Sequence, residues 1–199
     1  MSNMKYTQVP KEAFKNIQLN AGILLTDFNV EDGSFKEEDQ IGATSGGSNL
    51  NYNTEYTDFG ADIDNCPPNM KELKKVDSQT VTLSGTFVTV DTKSARRLMA
   101  AADIDKSNPN HIIPRSYLED SDFEDIWWVG DYSDITTGEK AGYIALHVMN
   151  ALSTGGFQLQ SSDKGKGTFS YEFTGHFSME AQDTVPFEAF IKAGEKSGE

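Results

Sequence analysis

The sequence predicts a mainly β protein, an antiparallel β-sandwich or partly closed barrel with one flanking α-helix at about residues 92–102. Three observations predict it. Val81, Leu83 and Phe87 alternate with Thr82, Ser84 and Thr86, which is the period of a half-buried strand. After a turn at Asp163–Gly167, Phe169, Tyr171, Phe173, Phe177 and Met179 alternate with Thr168, Ser170, Glu172, Thr174, His176 and Ser178. That pattern is a long antiparallel hairpin with one apolar face and one wet face. Between these strands, Lys93 to Ala102 switches to helical spacing and places Ala95, Leu98, Met99 and Ala102 on one side.

The elements follow in order. Residues 1–14 are polar and read as an N-terminal arm. KNIQLNAGILLTDFNV, residues 15–30, reads as two short strands bent near Gly22, and residues 31–40 as an acidic loop. Residues 41–69 are rich in Gly, Asn, Thr and Asp and read as a strand running into a long extended loop, of a length that marks function or disorder. In the strand at 81–90, Gly85 is consistent with a bulge, and at Val88 and Val90 the polarity moves to the other face. Asp91 or Thr92 caps the helix. At about ten residues it is too short to stand alone, so its Leu98/Met99 face leans on a sheet. Lys93 is expected outside, and Arg96 and Arg97 point outward or reach for a partner. Residues 103–125 read as loop, with five acids between Glu119 and Asp125. Strands return at 126–132 (IWWVGDY) and 142–152 (GYIALHVMNAL), and residues 193–199 (AGEKSGE) read as a frayed end. There is no internal repeat at a solenoid period, and the whole of 1–199 is taken as one domain.

Composition narrows the function. A 199-residue chain can bury roughly 70% of its unfolded surface and needs no staples. The single cysteine, Cys66, excludes an intrachain disulfide. The net charge of −14 argues against a surface that grips phosphate, because nucleic-acid binding rests on Lys and Arg neutralising the backbone. The N-terminus carries no apolar leader-like run and no stretch approaches 18 apolar residues, so synthesis in the cytoplasm without a membrane segment is expected.

No motif carries chemistry. Asp58-Phe59-Gly60 spells the metal-binding tripeptide of protein kinases without the rest of that machinery, and reads as a turn. DKGKGT, 163–168, lacks phosphate-loop spacing and sits in a hairpin. Asp58, Asp62 and Asp64 cluster without an EF-hand pattern, so capping of turns is their expected role. His111, His147 and His176 have no zinc spacing. Glu172 invites comparison with paired glycosidase carboxylates, but no partner is identifiable. Trp127 and Trp128 are adjacent on a strand and face opposite ways, one into the core and one under a loop or an interface. No catalytic residue, metal ligand or cofactor is expected.

Two long stretches carry a resemblance: TDFGADIDNCPPNMKELKKVDSQTVTLSGTFVTVDTKSARRLMAAADID and DIWWVGDYSDITTGEKAGYIALHVMNALSTGGFQLQSSDKGKGTFSYEFTGHFSM. Together, over roughly residues 17–191, the chain resembles the major tail protein, or tail tube protein, of long-tailed phages and prophages of Gram-positive bacteria. The resemblance implies a β-barrel or sandwich with a flanking helix, assembled as hexameric rings stacked into a tube. It implies a tape-measure protein and other tail proteins as partners, DNA passing through the lumen without specific binding, and a location in the virion. It offers no catalytic residues. It makes Thr168, Ser170, Glu172, Thr174 and His176 candidates for an acidic lumen wall, and the 41–69 segment, with Asn49, Tyr52, Tyr56, Asp58 and Asp62, a candidate ring-stacking loop. The competing expectation is a monomeric β-sandwich module that binds carbohydrate or a protein, with Trp127, Trp128 and Tyr132 as its support. An enzyme with carboxylates spread over strands ranks third.

Overall fold

Alternating apolar positions build two antiparallel sheets that share one strand. In this computed structural model, residues 9–10, 12–138 and 140–195 are described. The expected arm at 1–14 and frayed end at 193–199 fall largely outside the described residues. The strands are β1 (Gln18–Leu25), β2 (Thr44–Asp58), β3 (Lys74–Phe87), β4 (Ala102–Ile104), β5 (Ile112–Pro114), β6 (Glu124–Tyr132), β7 (Tyr143–Ser153), β8 (Gln158–Gln160), β9 (Thr168–Thr174) and β10 (Phe187–Lys192). The helix is α1 (Thr92–Met99). The first sheet is ordered β1-β6-β7-β10 and the second β2-β3-β9, with β8 beside β9. Near its end β7 leaves β10 and pairs with β9 through Leu152 and Ser153, joining the sheets without closing a barrel. β4 and β5 form a separate two-stranded ribbon.

The facing sides of the sheets supply one core: Leu24, Ile126, Trp128, Val148 and Ala151 from the first, Val81, Leu83, Phe87, Tyr171 and Phe173 from the second. Val81, Leu83, Phe87, Tyr171 and Phe173 are buried as expected, whereas Phe169, at the start of β9, is only half-buried. A second cluster on the outer side of the first sheet packs Leu25, Trp127, Val129 and Ala145 under Phe28 of the 26–40 loop. The adjacent tryptophans therefore point to opposite sides, Trp128 into the core and Trp127 beneath the loop with its ring 5.9 Å from that of Phe28.

α1 closes one end of the sandwich. Asp91 caps it, accepting from the Ser94 amide at 2.7 Å. Leu98 is fully buried in the core, Met99 is half-buried and Lys93 is exposed. Two side chains staple the helix to the sheets: Ser94 Oγ donates to the Ile41 carbonyl at 2.6 Å, and Ser153 Oγ donates to the Leu98 carbonyl at 3.0 Å. The helix stops at Met99 instead of reaching 102. Ala100 turns left-handed at φ 57°, and Ala102 already pairs with Pro114 in the β4–β5 ribbon.

Four other expectations change. In residues 41–69 the strand is longer and the loop shorter than expected: 44–58 form β2, paired with β3 along its length, and only the part beyond Asp58 is turn. β2 buries neither face fully, so the alternation of Leu50, Tyr52 and Tyr56 with Asn49, Asn51, Asn53 and Glu55 is a weak signal. Residues 15–30 give one strand, not two, interrupted by a bulge between Leu19 and Ile23. Phe177 and Met179 are 47% and 88% exposed instead of buried, because β9 ends at Thr174 and Gly175 turns to bond Val81. Gly85 marks no bulge in β3. It lies opposite Tyr171 at a spot where a Cβ would strike the tyrosine hydroxyl, and the register shift sits across from it in β2.

The β1 bulge is built on Gly22, at φ +70°, with Trp128 Nε1 donating to the Ala21 carbonyl at 3.2 Å. A Cβ there would sit 2.6 Å from the Trp128 ring and 2.7 Å from the Val129 carbonyl oxygen. Gly22→Ala is therefore expected to lower stability by roughly 1–3 kcal/mol. Urea melts measure it, and an unchanged midpoint would place the bend elsewhere.

Candidate functional site: a polar sheet face and a projecting hairpin

The outward face of the second sheet is polar across three strands. Antiparallel register sets Asn49, Asn51, Asn53 and Glu55 of β2 opposite Ser84, Thr82, Thr80 and Ser78 of β3. β3 in turn sets Thr82, Ser84 and Thr86 opposite Thr174, Glu172 and Ser170 of β9. Side chains knit the face: Ser78 Oγ donates to Glu55 Oε2 at 3.0 Å, and Thr154 Oγ1 donates to Glu172 Oε1 at 3.0 Å and lies 2.8 Å from Thr174 Oγ1. Hydroxyls, amides and two carboxylates make up this surface, and no Lys or Arg stands in these registers. On the opposite side, Tyr171 reaches across to Ser48, oxygen to oxygen at 2.7 Å, and burial pushes its phenol pKa above the usual value.

Of the expected lumen residues, Thr168, Ser170, Glu172 and Thr174 stand on this one face of β9. His176 does not join them. It lies past the strand end, its Nδ1 3.2 Å from the Asn150 carbonyl and its ring edge-on to Phe123. There it helps line a shallow cleft of about 440 Å³ with Phe123, Phe177 and Met179.

The β2–β3 hairpin runs past the core. Beyond Val81 no residue of either strand is fully buried. The expected stacking residues spread over this hairpin instead of forming one patch. Asn49 is on the polar face, whereas Tyr52 points inward and stacks on Phe187 at 5.2 Å. Tyr56 is exposed under the Lys74 ammonium, 5.8 Å from its ring centre. Asp58 is a turn carboxylate: amide hydrogen bonds from Gly60 and Asn69, both 2.9 Å, hold its pKa below the usual range. Asp62 is exposed in the turn itself. Phe59 and Ile63 beside it are 59% and 52% exposed.

Two features escape the sequence reading. β10 covers the edge of β7. A buried ion network also ties α1 to the acid-rich loop. Asp122, 5% exposed, receives Arg96 and Arg115 at 2.6 Å each, and Glu124 receives Arg96 at 3.0 Å and Arg97 at 2.6 Å. The signal was present as three arginines and a run of five acids, but their partnership is set by tertiary contact.

Two of the three residues that favoured a sugar platform are covered, and the third, Tyr132, is half-buried. Trp127 and Trp128 are both at least nine-tenths buried, and Trp127 is stacked flat on His147 at 3.9 Å. His147 Nε2 lies 3.1 Å from Asp125, while its buried Nδ1 has no hydrogen-bond partner among the described residues. No group of three or more His, Cys, Asp or Glu among the described residues is placed to hold a metal ion. No helix among them is long and apolar enough to cross a membrane.

No protein-family model matches the chain, and no curated protein sequence matches it. Among solved structures the chain is similar to one in the virion of a native gene transfer agent particle and to one in the tail of an empty gene transfer agent particle refined with C6 symmetry. Each is 10% identical, with 79% of this chain and 92% of the other covered and a TM-score of 0.42. A score below 0.5 falls short of establishing a shared fold.

Proposed function

We propose that this chain is an architectural, non-enzymatic subunit of a phage-type tail tube. Copies close into hexameric rings, and the rings stack around a tape-measure protein into a tube that later conducts DNA within the virion. The observation that carries this reading is the outward face of the second sheet from Ser78 to Thr86 of β3, polar over three strands, with Glu55 and Glu172 on it and no Lys or Arg in those registers; Lys75 enters only past the bulge, opposite Thr57 at the hairpin end. A wall that lets a duplex slide needs this chemistry, because each cation would make a phosphate contact. The resemblance of the sequence to tail tube proteins supplies the context.

The edges of the sheets support assembly. A bulge interrupts β1, a device that blunts an edge against pairing. β2 is a long outer strand with no hydrogen-bonded strand on its far side among the described residues, open to a strand of the next copy. Identical subunits joined through unlike surfaces close into rings or grow as filaments. Electron microscopy of concentrated purified protein tests the reading: sixfold rings or tubes are expected, and a chain that stays monomeric with or without tail initiator proteins contradicts it.

Glu172→Lys changes the charge on that face by two units in every copy. The position is exposed, so stability is expected to move by less than about 0.5 kcal/mol. DNA ejection from particles carrying the variant is expected to slow, most at low salt where the Debye length exceeds about 10 Å. Tubes that eject at the unmodified rate across ionic strengths would remove Glu172 from the lumen.

A further inference from the structure

The two turns of the polar sheet lie at opposite ends of it. β3 runs from Lys74, beside Asp58 and the 59–73 turn, to Phe87, beside Phe169 and the 161–167 turn. Its 14 residues separate these turns by about 45 Å. The turns differ in charge. The 58–77 end carries Asp58, Asp62, Asp64, Glu72 and Asp77 against Lys71, Lys74 and Lys75, whereas the 161–167 end carries Lys164 and Lys166 against Asp163 alone.

Within the 59–73 turn itself, local pairing leaves Asp62 and Asp64 as the uncompensated charges. Lys71 is 3.5 Å from Glu72, and Lys74 donates to the Asn69 side chain at 3.0 Å. Asp58 is spent on the turn backbone. Asp62 and Asp64 are exposed and make no ion pair among the described residues, and the same holds for Lys164 and Lys166. Each end also carries uncovered apolar side chains. Phe59 and Ile63 flank the acidic turn, and Leu159, 58% exposed, sits against Gly167 at the basic one.

We propose that these ends dock on each other between successive copies: the 59–73 turn of one copy seats on the 161–167 turn of the copy stacked above it. Asp62 and Asp64 face Lys164 and Lys166 there, and Phe59 and Ile63 cover Leu159. The occupant of each end is thus a second copy of this chain. The contact joins unlike surfaces in parallel copies, so it does not close on itself and propagates as a filament. It rests on the tube reading above and names the side chains of its axial contact. A single exposed ion pair is weak, but a ring presents the contact once per subunit and multiplies it.

Charge reversal of the full chain tests the pairing. Lys164→Glu with Lys166→Glu, and separately Asp62→Lys with Asp64→Lys, are compared with the four-fold combination by electron microscopy and sedimentation at 0.15 M salt. Circular dichroism melts establish that each is folded. Each pair alone is expected to raise the concentration needed for tubes by roughly tenfold or more while leaving rings intact. The combination, which restores opposite charges, is expected to restore tubes. Unmodified protein that forms tubes, with variants that do so equally well, overturns the docking and leaves the tube reading standing. A combination no better than either pair also overturns it. Unmodified protein that forms neither rings nor tubes removes both.

Discussion

Leu98→Ala is expected to lower stability by about 2–5 kcal/mol, because it empties a fully buried site in the core beneath α1. Lys93→Ala, one turn earlier on the exposed side, is expected to change it by less than about 0.5 kcal/mol. The contrast follows from geometry. An eight-residue helix has too few internal hydrogen bonds to persist alone, so its order depends on Leu98, Ala95 and the Ser94 and Ser153 staples. Denaturant melts of the two variants decide it, and equal effects would mean that the buried side of the helix is misassigned.

Asp122→Ala is expected to cost about 3–5 kcal/mol, the range for removing one partner of a buried ion pair. Asp122 is almost wholly buried and accepts from two guanidinium groups, Arg96 of α1 and Arg115 of the loop after β5. Its other oxygen accepts the Glu119 amide at 2.8 Å. Removing it leaves Arg96 with Glu124 and Arg115 with the more exposed Asp103 and Glu119, and it releases the turn that leads into β6. Asp120→Ala, in the same turn but exposed, is the control and is expected to move the melting midpoint little. Comparable losses in the two variants would show that the turn, and not the buried charge, carries the stability.

These two sites mark what sequence could and could not reveal. Leu98 was legible because helical spacing puts it beside Ala95, and Phe173 because strand spacing puts it beside Tyr171. Local periodicity reports burial wherever one face is covered and the other is wet. It is faint where neither face is fully buried: in β2, Leu50, Tyr52 and Tyr56 alternate with Asn49, Asn51, Asn53 and Glu55, but the Gly- and Thr-rich context hides how far the strand runs. It misleads where a strand ends without a change of pattern. Phe177 and Met179 keep the period of β9 after Gly175 has already left the sheet. It says nothing about charge partners far apart in sequence, and the Arg96–Asp122 pair spans 26 residues. Much of the polar face was readable on β3 and β9, while their union and its extension over β2 depended on register that only the folded sheet defines.

The surface chemistry and the edges lead to the same account. The cation-free 78–86 registers of the polar face, the blunted β1, the open β2 and the oppositely charged turns each suit a subunit that binds copies of itself and not nucleic acid. The most direct measurement is a cryo-electron microscopy reconstruction of the assembled protein at side-chain resolution. The account predicts a sixfold tube with Ser84, Glu172 and Thr174 turned to the lumen and the core between the sheets lying outside them. A tube with that face outward, or an assembly with no channel, would contradict it.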